Sequence, residues 1–332
     1  MPTPLPRPNP FNDELVISAY NRCLDLEERE AQVIKHGRLP PLISARLLGY
    51  LIVEATTKDG RLEICTDIIG AVGDQALQAL ANVYKDHFIR CFHSARSRSP
   101  TPSHHPSAPS FDAQKQPYRP LLVPTPRSHQ TAKAKVSLID GPSARAGLVD
   151  DVRGASPYTV THAAHIFDRS TNEDLGVPKK ADYAASFNAV LDRFGQIKPI
   201  AELNGANIHR LENILTLSLE FHSLFDKLEI WLERNPNDPP HQYTIASTDP
   251  GYTQSLQNPV TLITHDAETH PLPDHRYLAL HAACARVAHL SGASEYIMQV
   301  LRELEHIGVL AYDGSSDALY YALVRRLNIE AH

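Results

Sequence analysis

The chain has 332 residues, 42% of them hydrophobic, and a formal net charge of −6. This length holds two globular units, or one with a large insertion, and the acidic balance excludes a chain that is basic overall while leaving room for a local basic groove against phosphates. Four scattered cysteines (Cys23, Cys65, Cys91 and Cys284) form no Cys-x-x-Cys pair, which excludes a zinc knuckle and fits a reducing intracellular compartment, nuclear or cytoplasmic.

Residues 1–10 carry Pro at every second position and are expected as a disordered, extended tail rather than a secretory signal. Residues 11–95 read as a helical N-terminal unit. Leu15, Ala19 and Leu26 begin a broken apolar stripe, Leu51-Ile52-Val53 must be buried, and Ala76, Leu80, Val83, Tyr84 and His87 recur at helical spacing. Residues 96–145 are rich in Pro, Ser and Thr and hold little that could bury area, so a disordered linker is expected. No apolar run approaches bilayer length, so no membrane partner is expected.

Residues 150–250 are mixed. Tyr158–His162 has strand propensity and runs toward His165. Tyr183, Phe187, Val190, Leu191 and Phe194 make an amphipathic helix, with Gly195 where a C-terminal cap belongs. Asn213 to Leu217 is a second strand, Ser218 is placed to cap a following helix, and Glu220 suits its first turn. Leu228–Glu233 and His241–Ile245 read as a hairpin around a Pro/Asn turn, with Trp231 packing on it. Residues 272–332 return to helical spacing, with Ser291-Gly292 between two stripes and a last helix over Ala318–Leu327. These helices are expected to pack on the mixed domain, and the helical units offer surface for a protein partner.

Chemistry concentrates in two places. One is Thr161-His-Ala-Ala-His165-Ile-Phe167, and the other is Asn213-Ile-Leu-Thr-Leu-Ser-Leu-Glu-Phe-His222-Ser-Leu-Phe-Asp226. The order His, Asn, His resembles the HNH nuclease family, and most closely fungal proteins that carry the same two signatures within helical chains. The resemblance covers about residues 155–250. It implies an α+β, mainly helical fold in which a ββα-metal (His-Me finger) core is embedded in helices, with residues 168–210 inserted over the site.

The resemblance also implies roles. His165 is the general base that takes a proton from water, its ordinary pKa lying close to neutrality. Asn213 fixes the loop that carries His165. His222 ligates a divalent metal, with Mg2+ as the first candidate and Mn2+ or Zn2+ as alternatives. Asp226, one helical turn on, shares a face with His222 and either orients its ring or ties down the helix. Family members carry an acidic residue or His directly before the base as a metal ligand, and this chain has Ala164 there. His162, on the same side of the strand as Ala164, or Asp168 is the expected substitute. Arg169, Lys179, Lys180 and Arg210 are candidates for contacts to nucleic acid phosphate. The implied activity is metal-dependent endonucleolytic hydrolysis. A degenerate scaffold that binds without cutting, or a fold recruited to small-molecule chemistry, are the alternatives.

Overall fold

The computed structural model describes residues 2–29, 39–89, 92, 117–123, 161–168, 175–176, 178–195, 197–254, 256–264 and 266–305. Most of the expected linker, Tyr158 to Val160, Arg169 and the helix expected over Ala318–Leu327 lie outside these residues. Among the described residues, those up to Lys85 and from Arg286 onward form one compact unit, and those from Asp86 to Ala285 form the other. Among the described residues the architecture is mainly helical, with two small antiparallel sheets. No described helix is long and apolar enough to cross a membrane.

The first unit is helical. α1 (Glu14–Arg29) starts on Asp13, whose Oδ1 accepts the Leu15 and Val16 amides at 3.0 and 3.3 Å. It buries Val16, Ala19, Tyr20, Cys23 and Leu26 along one face. α2 (Pro41–Val53) opens with Pro at its first position and is buried on nearly every side. α3 (Lys58–Gly70) is capped by Thr57, and α4 (Asp74–Tyr84) follows. The Pro-rich N-terminus is extended, as its residues dictate, but it is anchored on this unit. Leu5 is buried against Gly49, where a Cβ would come within 2.5 Å of its Cδ2. Tyr50 and Tyr20 donate from their hydroxyls to the Pro4 and Pro6 carbonyls.

The second unit carries the mixed region. Its elements are β1 (Thr161–His165), α5 (Pro178–Gly195), α6 (Pro199–Glu202), β2 (Ile214–Ser218), α7 (Leu219–Asp226), β3 (Ile230–Glu233), β4 (Gln242–Ser247), β5 (Val260–Thr261) and the first part of α8 (His275–Ser291). β3, β4 and β5 form one sheet, with Ile230 opposite Ser247. β1 and β2 form the other. An aromatic core lies beneath: Phe167 is fully buried, with ring centroids 5.0 Å from both Phe92 and Tyr277 and 6.1 Å from Phe187.

The segment from 272 divides between the units. Tyr277, Leu280 and His281 pack within the second, while Arg286 pairs with Glu54 at 2.6 Å and the Leu290 carbonyl accepts the Thr3 amide in the first. Gly292, at φ +85°, ends α8 before α9 (Ala293–Glu305) in the left-handed conformation that glycine tolerates. Gly195 is different. It has no positive φ, and its lack of a Cβ matters because Leu280 Cδ1 would clash with one.

Candidate functional site

β1 and β2 pair antiparallel from Thr161 opposite Ser218 to His165 opposite Ile214. His165 therefore occupies the last rung, and Asn213 immediately precedes its partner. The Asn213 backbone carbonyl accepts the Ile166 amide at 2.9 Å, which continues the ladder. Its side chain, with no exposed surface, does more. Oδ1 accepts the Phe167 amide at 2.9 Å, while Nδ2 donates to the carbonyls of Phe167 at 3.1 Å and Ile208 at 2.9 Å. A buried amide with both donors used is a strong local constraint, because each loss would leave backbone groups unpaired out of reach of water. Asn213 thus holds the turn that follows His165.

β2 runs straight into α7. Ser218 caps the helix through the Phe221 amide at 3.3 Å, and Glu220 lies in the first turn. The far end of α7 is pinned by His281, whose ring stacks on Phe225 at 3.7 Å and whose Nε2 donates to the Phe225 carbonyl at 3.2 Å. Complete burial pushes the His281 pKa down to about 3, so the ring is neutral. Two strands and the helix that follows them thus make an arrangement of the ββα type within a helical scaffold.

Alternation along β1 sorts the side chains into two groups. Ala164 and its partner Leu215 are buried on one face. His162 shares that face, and its ring lies 6.2 Å from that of His222 on α7. Asp168, beyond the strand, is close enough to act electrostatically on both His222 and Asp226. On the opposite face Ala163 packs against Leu211 and Ile214. His165 belongs to this second face, and its Nε2 is 3.0 Å from Nδ1 of His209. His162 and His222 thus lie near one another, with Asp226 beside His222, and His165 pairs separately with His209. His209 stands out in the sequence only as a neighbour of Asn213, since nothing local reveals that its ring reaches His165.

Burial shapes the electrostatics of the His222 end of this group. Burial lowers the His222 pKa, the like charge of His162 adds to this, and Asp168 opposes it. His222 is therefore neutral at pH 7, the ligating form. Burial, reinforced by the charge of Asp168, pushes the Asp226 carboxyl up to about 7. His222 Nε2 and Asp226 Oδ2 lie 3.5 Å apart. By distance alone this is an ion pair, but the two pKa shifts make it a weak polar contact between a neutral ring and a half-protonated acid. Two imidazoles and a carboxylate have the donor chemistry that divalent transition metals accept. Among the described residues, however, no group of three or more His, Cys, Asp or Glu is close enough to hold an ion.

Of the cationic candidates, Arg210 is engaged by Glu212 at 2.5 Å, which holds its pKa up. Lys179 and Lys180 lie at the start of α5, with side chains outside the described set, as is all of Arg169.

Residues 141–233 match the family HNH_2, described as HNH endonuclease, so an HNH_2-family domain is present in the chain. No curated protein and no solved structure matches the chain.

Proposed function

We propose that the domain is a metal-dependent endonuclease that hydrolyses nucleic acid phosphodiesters. The observation that carries this reading is the clamp of Asn213 on Phe167 and Ile208, which sets His165 at the end of a two-stranded ribbon whose second strand enters the helix bearing His222. His165 is the general base. Its ring takes a proton from the attacking water, and the resulting hydroxide adds to phosphorus as the leaving oxygen departs. Asn213 acts through His165 by fixing the strand end and does not touch the reacting atoms. His222, His162 and Asp168 would hold a divalent cation, which when bound would stabilise negative charge on the phosphate and leaving oxygen. Asp226 orients His222. Arg169, Lys179 and Lys180 are the cations that would face the phosphate backbone.

A second reading, a scaffold that binds nucleic acid or a protein without cutting it, draws on one observation. The helix-facing position before His165 is Ala164, fully buried, and three donors are not gathered among the described residues. Incubation with labelled single-stranded DNA, duplex DNA and RNA in Mg2+ or Mn2+ tests both. Cleavage of any of them that disappears in His165→Ala supports the nuclease. Retention of a labelled strand by both proteins with no cleavage by either supports the scaffold.

A further inference from the structure

His209 comes from the 3-10 segment Gly205–His209, between α6 and β2, and is only 7% exposed. Its Nδ1 lies 3.0 Å from Nε2 of His165, with ring centroids 5.2 Å apart and planes at 70°. At that distance one nitrogen holds a proton and the other accepts it. The pairing is built in rather than incidental. The one buried amide of Asn213 bonds at once to Phe167, two residues beyond His165, and to Ile208, directly before His209. The Arg210 amide then closes onto the Asn207 carbonyl at 3.0 Å. A single side chain therefore sets the relative position of both imidazoles.

We infer that His209 is a positioning residue for His165: its Nδ1 accepts the hydrogen bond from Nε2–H of His165, which fixes the Nε2–H tautomer and puts the proton-accepting lone pair on Nδ1. This rests on reading His165 as a general base. The reverse assignment, with His209 donating, would occupy the Nε2 lone pair and leave Nδ1 protonated, so the ring could accept nothing. With the inferred tautomer, the proton from water goes to Nδ1 of His165, and the imidazolium so formed keeps its Nε2–H bond to His209.

The test uses the full chain labelled with 15N-histidine. Long-range 1H–15N spectra report the tautomer of each ring, with assignments from His165→Gln and His209→Gln. We expect a single Nε2–H tautomer for His165 in the wild type, a mixture in His209→Ala, and restoration in His209→Asn, whose Oδ1 accepts close to the place of Nδ1. In cleavage assays His209→Ala should lower kcat by about ten- to a hundredfold, part of what a positioned base supplies, with KM unchanged, and His209→Asn should recover most of it. An Nδ1–H or mixed tautomer in the wild type overturns the inference. So does His209→Asn behaving no better than His209→Ala in the spectra. The spectra need no cutting, so an inactive wild type would refute the nuclease reading while the tautomer still decided this one.

Discussion

Asn213 and Phe167 are joined in both directions: the Phe167 amide donates to Oδ1 of Asn213 at 2.9 Å, and Nδ2 of Asn213 donates back to the Phe167 carbonyl at 3.1 Å. With the further bond to Ile208, three backbone groups depend on one buried side chain. Asn213→Ala should cost about 3 kcal/mol or more, since each orphaned buried group costs roughly 1–3 kcal/mol. Asn213→Asp keeps the shape but supplies no donor and buries a charge, so it should be at least as damaging. Urea denaturation measures both, and a loss below about 0.5 kcal/mol, within the ordinary range for surface substitutions, would remove the clamp from the account.

The grouping of His162 with His222 makes a prediction about cations. His222→Ala and His162→Ala should each weaken Mn2+ binding by about tenfold or more, read by calorimetry. His165→Ala should leave that affinity unchanged, because its ring lies on the other face of the ribbon with His209. Unchanged affinity in His162→Ala would rule His162 out as a donor.

His281 should make the protein acid-sensitive. Its folded pKa is depressed to about 3 from an ordinary 6.5 by burial. Below pH 6.5 the unfolded chain gains a proton that the folded chain refuses, so stability falls as pH falls. The slope approaches about 1.4 kcal/mol per pH unit. His281→Gln does not titrate. Its stability relative to wild type should therefore rise between pH 7 and pH 5, as read from denaturation midpoints at each pH.

Asp226 has the opposite dependence. Its folded pKa is raised from 3.8 to about 7. The stability this group contributes is fully present below pH 3.8 and is lost as pH rises through 7, because the unfolded chain releases a proton that the folded chain keeps. In protein stripped of metal, Asp226→Asn should gain melting temperature relative to wild type as pH rises from 4 to 8. A flat difference across that range would show that the carboxyl is not perturbed.

What could be read in the sequence was local. Ser218 as a cap, Gly292 as a break and the strand–helix step from Asn213 to Asp226 each follow from the chemistry of neighbours in the chain. The hairpin of β3 and β4 followed from alternation and a Pro/Asn turn. What could not be read depends on partners far away. Pro at every second position says extended but not docked, and it is distant residues such as Glu27, Gly49 and Tyr50 that make a berth for Leu5 and Pro4. Gly195 looks like a left-handed cap, yet its role comes from the approach of Leu280. His209 offers no periodic or motif signal, because its partner lies across a strand pairing that composition does not encode.

The role of His165 is tested by nicking of supercoiled plasmid by wild type and His165→Ala at matched melting temperature, in Mg2+ or Mn2+ and then in EDTA. Metal-dependent nicking by the wild type should fall by about a hundredfold or more in His165→Ala, the scale a positioned base contributes. No nicking by the wild type in either ion, or nicking that persists undiminished without the His165 imidazole, would contradict it.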